Sequence, residues 1–139
     1  MKNFLLYFIF LSFCYSQTEV FIQDKEITIQ DNEVLIEVLG MVCSMCAYGL
    51  EQGFSEIDFV DKTKFKNGVF VELDSQYVQI GLKESSNVNP ETILTVIEEA
   101  GYELNTLFIF QEKNLTKFRI DKVGILQPVA LNNSPNSTS

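Results

Sequence analysis

The chain has 139 residues, of which 46% are hydrophobic and 12% aromatic, so it can form one globular domain and is not a largely disordered protein. Its formal net charge is -9 at pH 7. This charge disfavours binding to nucleic acid or to an anionic membrane surface, because both need Lys and Arg to offset phosphate charge. A cationic ligand or a basic partner suits this surface better.

Residues 1–16 have the pattern of a secretory signal peptide. Lys2 precedes an apolar run at residues 4–11, which is shorter than the ~20 residues of a membrane-spanning helix. We therefore expect cleavage near Ser16 and export to a periplasmic or extracellular location. Lipoprotein processing at Cys14, which would associate the protein with a membrane, is the alternative, although a bulky Phe precedes Cys14 where that signal takes a small residue.

Residues 17–32 are interpreted as an N-terminal extension, and residues 33–110 as a domain of alternating strands and helices. Alternating apolar residues predict a strand at Glu33–Leu39. The next helix begins near Cys43 and has Cys46, Leu50 and Phe54 along its buried side. The other predicted elements are strands at 69–73 and 77–82, a helix from Pro90 capped by Asn89 and ended by Gly101, and a strand at 103–110.

The order strand, helix, strand, strand, helix, strand predicts an α+β protein. It is the ferredoxin-like βαββαβ pattern, in which two helices lie on one face of a four-stranded antiparallel sheet. Residues 111–139 are interpreted as a C-terminal extension that adds a strand or wraps the core. Its last residues, 131–139, are rich in Asn and Ser and are predicted to be disordered.

Cys43 and Cys46 are the cysteines that remain after removal of residues 1–16, and the chain has no histidine. They lie where a predicted strand turns into a helix, and their i, i+3 spacing brings both sulfurs to one point. Backbone N–H groups and the positive end of the helix dipole favour thiolates there. Two thiolates without histidine favour a soft, low-coordination ion such as Cu(I). Zn(II), which usually has four ligands, stays open if carboxylates, a partner or a second copy complete the site.

Other interpretations of the cysteine pair remain open. The pair can make and break a disulfide as a thiol-disulfide redox protein, and export would favour the oxidised form. Against a thioredoxin-like enzyme, Val42 stands where such enzymes usually have an aromatic residue. The pair can also be a permanent structural bond, or be incidental to a metal-independent interaction module.

The pattern Gly-Met-x-Cys-x-x-Cys at residues 40–46, followed by Leu50-Glu51 and by the segment from Ile97 to Tyr102, resembles the heavy-metal-associated domain family. That family includes small copper chaperones, metal-binding modules of copper-exporting ATPases and the periplasmic mercury-binding protein. The resemblance covers about residues 33–109. It implies a ferredoxin-like fold whose cysteine pair carries a soft metal ion and passes it to a similar domain by thiolate exchange.

Carried over to this chain, the resemblance makes Cys43 and Cys46 the metal ligands. Met41 matches a methionine that packs beneath the metal loop, and Tyr102 falls where bacterial members often have an aromatic residue near the site. Val42 departs from the usual Thr. We therefore expect an exported, monomeric carrier or buffer, not an enzyme, for Cu(I) first and Zn(II) or Hg(II) otherwise. Its expected partner is a metal transporter or another metal-binding domain.

Overall fold

A computed structural model describes residues 16–131 of the chain. Within that range the elements, in chain order, are β1 (Gln17–Ile22), β2 (Lys25–Gln30), β3 (Glu33–Leu39), α1 (Ser44–Ser55), β4 (Val69–Glu72), β5 (Tyr77–Gly81), α2 (Pro90–Glu99), β6 (Glu103–Gln111), β7 (Asn114–Ile120) and β8 (Leu126–Val129). The predicted signal peptide except Ser16, and most of the tail predicted to be disordered, lie outside the described residues, as does Cys14. No helix in the described part is long and apolar enough to cross a membrane.

The main sheet has six antiparallel strands in the order β4-β5-β3-β6-β7-β8, and with the two helices it confirms an α+β protein. The prediction of a four-stranded sheet is wrong. A tight turn at Glu112 and Lys113, both with positive φ, returns the chain so that β7 pairs with β6, and β8 then pairs with β7. Residues beyond 110 therefore continue the sheet.

The two helices pack over the β3 side chains Val34, Ile36 and Val38, all fully buried. Helix α1 buries Leu50 and Phe54 in this core, as the helical spacing predicts. The predicted start of α2 is also confirmed, because the Asn89 side chain accepts a hydrogen bond from the N–H of Glu91 (3.0 Å) and Pro90 opens the helix. The helices thus have fixed positions relative to β3.

Strands β1 and β2 form a separate antiparallel hairpin, and its apolar side chains make a second core with the main sheet. The members of this core are Val20, Ile22, Ile27 and Ile29 from the hairpin, and Leu35, Tyr77, Phe108 and Phe110 from the sheet. Antiparallel sheets commonly leave one face to solvent. Here helices and hairpin cover β3 from both sides, and residues 33–38 are all buried.

Glu33, at the start of β3, is a buried carboxylate. Its side chain is 5% exposed and accepts a hydrogen bond from the N–H of Gln30 (2.9 Å). Burial raises the pKa of Glu33 above its ordinary value of 4.5, and the Gln30 hydrogen bond and the charge of Lys64 oppose the rise only in part. The ionised form is therefore less favourable in the folded protein than in the unfolded chain.

We expect Glu33→Gln to make the protein more stable than the wild type at pH 7. A raised folded-state pKa means that the contribution of Glu33 to stability is full below pH 4.5 and is lost as the pH rises through the folded value. Gln keeps an oxygen for the Gln30 N–H but carries no charge. Urea unfolding at pH 7 and pH 4 checks this, with the exposed Glu112→Gln as control. An equal effect of Glu33→Gln at both pH values would contradict it.

Candidate metal centre

Cys43 and Cys46 meet at the N-terminus of α1. Cys43 is the N-cap residue, in extended conformation, and its sulfur accepts a hydrogen bond from the N–H of Cys46 (3.3 Å). Its carbonyl oxygen accepts from the N–H groups of Cys46 (3.1 Å) and Ala47 (3.2 Å). The Cα atoms of the two cysteines are 5.3 Å apart. Because Cys43 is the N-cap and Cys46 lies in the first turn, both sulfurs lie at the N-terminal end of α1.

The structure joins Cys43 and Cys46 in a disulfide. Cys43 is exposed, whereas Cys46 is half-buried and packs against the helix-side core. A disulfide has no thiolate to offer a metal ion, so soft-metal binding needs reduction by two electrons first. The reduced pair would present two thiolates at a helix N-terminus, which fits a soft ion in both donor type and electrostatics.

Met41 anchors the segment before the cysteines in the core under the helices. Its side chain is fully buried and belongs to the helix-side core. The preceding Gly40 has a φ of +90°, which lets the chain leave β3 sharply. Met41 therefore lies beneath the loop as a packing residue, and the exposed Val42 leads from it to Cys43.

Tyr102 reaches the same place from the end of α2. Gly101, with a φ of +84°, ends the helix, and the N–H groups of Gly101 and Tyr102 donate to the carbonyls of Glu98 (2.9 Å) and Ile97 (3.0 Å). This is the Schellman motif. It places the Tyr102 ring beside the loop, where a Cβ on Gly40 would lie 3.8 Å from Tyr102 Cδ1.

Large apolar side chains surround the cysteines on the outside. Val42 and Met45 are each 80% exposed, and Tyr48 is 58% exposed. A groove of about 460 Å³ runs between α1 and the end of α2. It is lined by Met45, Cys46, Gly49, Gly53, Glu56, Val96, Glu99, Ala100 and Tyr102. The cysteines thus border open surface with both apolar and acidic groups, and no three His, Cys, Asp or Glu side chains converge within residues 16–131.

Gln76, which no sequence pattern singled out, contacts the loop at residues 40–43 that leads to the cysteine pair. The spacing of apolar residues predicts only a polar link between β4 and β5 here. Gln76 Oε1 accepts hydrogen bonds from the N–H groups of Gly40 (2.9 Å) and Met41 (3.2 Å). No local pattern signals this contact, because the partners lie 35 and 36 residues apart in the chain.

No protein-family model matches the chain, and no curated protein matches it significantly. Solved structures similar to part of it include the CopZ metallochaperone (25% identity, TM-score 0.44, 52% of this chain and 97% of that one). Another is the yeast copper transporter domain Ccc2a, solved in apo and Cu(I)-loaded states (24%, 0.43, 52% and 89%). A third is the Atx1–Cu(I)–Ccc2a complex (23%, 0.43, 52% and 90%).

Proposed function

We propose that this protein carries or buffers a soft metal ion, Cu(I) before Zn(II) or Hg(II), through the thiolates of Cys43 and Cys46, and is not an enzyme. The observation that supports it is the convergence of both sulfurs at the exposed N-terminus of α1. Thiolates select soft ions, and two of them suit the low coordination number of Cu(I). The N–H of Cys46, which donates to Cys43 Sγ, favours a negative sulfur there.

The exposed position also suits transfer of the ion. An incoming thiolate of a partner can reach a metal held by Cys43, bind it as an additional ligand, and then allow one resident sulfur to leave. Val42, Met45 and Tyr48 supply apolar surface for that encounter. The partner we propose is a metal transporter or another domain with a cysteine pair, and the protein acts as a monomer.

We also propose a domain layout and a location for the protein. Residues 33–110 form a ferredoxin-like unit of the heavy-metal-associated type, because β4-β5-β3-β6 lie side by side beneath two helices. Residues 17–32 and 111–131 extend it with β1, β2, β7 and β8. Residues 1–16 are a signal peptide, so the protein works outside the cytoplasm.

Anaerobic titration tests the metal site. The reduced chain from Gln17 onward is expected to bind one equivalent of Cu(I), whereas Cys43→Ser, Cys46→Ser should bind none. Met45→Leu is the matched control on the same helix end, and it should still bind one equivalent. The proposal fails if the double variant titrates like the wild type. Competition with Zn(II) and Hg(II) in the same assay ranks the ions.

A second candidate function is thiol-disulfide exchange, because the structure holds the pair as a disulfide with Cys43 exposed. One thiolate of a substrate dithiol would attack Cys43 Sγ and release the Cys46 thiolate. The second thiolate of the substrate then attacks the substrate sulfur of the mixed disulfide and releases the Cys43 thiolate, so the substrate leaves as a disulfide and both cysteines are reduced. Exchange with a protein disulfide, measured together with Cu(I) affinity, separates the candidates. Rapid exchange with weak metal binding favours the redox function.

A further inference from the structure

Gln76 has a backbone conformation that does not favour glutamine. It ends the turn between β4 and β5 and has a φ of +50°, in the left-handed region that favours Gly or Asn. Its side chain is half-buried, so it is neither a core residue nor free in solvent. The backbone conformation alone therefore gives no reason for Gln at this position.

The contacts of Gln76 supply that reason. The antiparallel ladder between β3 and β5 ends at the pair Glu37 and Tyr77. Beyond that point the carbonyl oxygen of Gln76 accepts from the N–H of Val38 (2.9 Å), and Oε1 accepts from Gly40 and Met41. The side chain thus replaces ladder partners that β5 no longer provides.

The register of β3 changes at the same place. The pairing of β3 with β6 shifts between Glu37 and Val38, so the strand is irregular just before the metal loop. An irregular strand end with unpaired N–H groups would fray, and the Met41 N–H is partly buried, where an unmade backbone hydrogen bond is unfavourable. Gln76 pairs the N–H groups of Gly40 and Met41, which lie three and two residues before Cys43.

We propose that Gln76 is a positioning residue for the cysteine pair. By holding the N–H groups of Gly40 and Met41, it fixes the direction in which the chain enters Cys43 and keeps the two sulfurs pre-organised. This inference rests on the proposed function where it concerns the metal ion. It also predicts an effect on the disulfide, which does not depend on a metal.

Two substitutions test the proposal. Gln76→Gly removes the acceptor but suits the positive φ and keeps the carbonyl that bonds Val38, so the variant is expected to fold. Gln76→Glu keeps an acceptor of the same length. For Gln76→Gly we expect Cu(I) affinity to fall ~10- to 100-fold, the usual effect of losing a group that orients metal ligands. Gln76→Glu should lie within about threefold of the wild type, as a carboxylate also accepts both N–H groups.

The second measurement is the equilibrium of the disulfide with glutathione. A looser loop lowers the effective concentration of one thiol at the other, so Gln76→Gly should form the disulfide roughly 3- to 10-fold less favourably. A purely structural role would lower the urea midpoint without changing this equilibrium or the affinity of the folded protein, and would overturn the proposal. So would wild-type values for Gln76→Gly, or Gln76→Glu behaving like Gln76→Gly. If the wild type binds no Cu(I), the proposed function fails, and the disulfide equilibrium still decides the role of Gln76.

Discussion

Ile29→Ala is expected to lower the free energy of unfolding by about 3 kcal/mol, within the range for truncating a fully buried isoleucine. Ile29 lies in β2, is 0% exposed, and belongs to the core that also contains Leu35, Phe108 and Phe110. Its truncation leaves a cavity between the hairpin and the sheet, where a rigid strand pair cannot easily collapse. Urea unfolding of the oxidised protein measures the change.

Phe21→Ala is the matched control for this prediction. Phe21 lies in the same hairpin but on its outer side, with 67% of its surface exposed. It is a larger side chain than Ile29, yet its truncation should change stability by no more than about 0.5 kcal/mol. Similar losses for both variants would contradict the structure, because the hairpin would then not be seated with Ile29 against the sheet.

The hairpin decides which surfaces of the protein stay accessible. With β1 and β2 over one face and the helices over the other, β3 is shielded from both sides. At one sheet edge, Pro128 in β8 lacks the N–H that a further strand would need as a donor. The end of the sheet beside Cys43 and Tyr102 stays accessible, because Val42 and Met45 next to the cysteines are each 80% exposed. The proposed partner would therefore meet the protein at this end.

Local patterns predicted the elements next to the site. The alternation in Glu33–Leu39 matches β3 in its bounds and in the faces of its side chains. The i, i+4 spacing of Cys46, Leu50 and Phe54 predicted the buried side of α1. The Asn89 cap is confirmed as well. These features depend on residues close in sequence, where steric and hydrogen-bonding preferences act directly.

Long-range pairing could not be predicted in the same way. Residues 17–32 contain the alternation Ile27-Thr28-Ile29, which indicates a strand, but nothing in it tells which face of which sheet the strand covers. The turn at Glu112 and Lys113 lacks the Asn-Gly signal for positive φ, so the extra strand β7 was not expected to pair with β6. The contact of Gln76 with Gly40 could not be predicted either, because the two residues lie 36 apart in the chain and meet only in the folded protein.

The sequence also does not determine whether the cysteine pair is reduced, and that state controls the proposed function. A disulfide between Cys43 and Cys46 and a metal ion on both sulfurs exclude each other. The oxidised protein is therefore expected to bind no Cu(I), and full binding should return on reduction. In an oxidising compartment the disulfide prevails when no metal ion is bound. The proposed function therefore requires that binding of the ion stabilise the reduced cysteine pair.

This competition predicts a shift of the reduction potential with copper. A ligand that binds only the reduced form stabilises it by about 2.7 kcal/mol when its free concentration is 100 times the Kd. For a two-electron couple this raises the potential by ~60 mV, which makes the disulfide easier to reduce. The measurement is the equilibrium with a dithiol couple while an excess of chelator fixes free Cu(I), and the chelator without copper is the control. A potential that does not change with free Cu(I) would show that Cys43 and Cys46 do not hold the ion, whereas the predicted rise would mean that a loaded carrier protects its own site from oxidation.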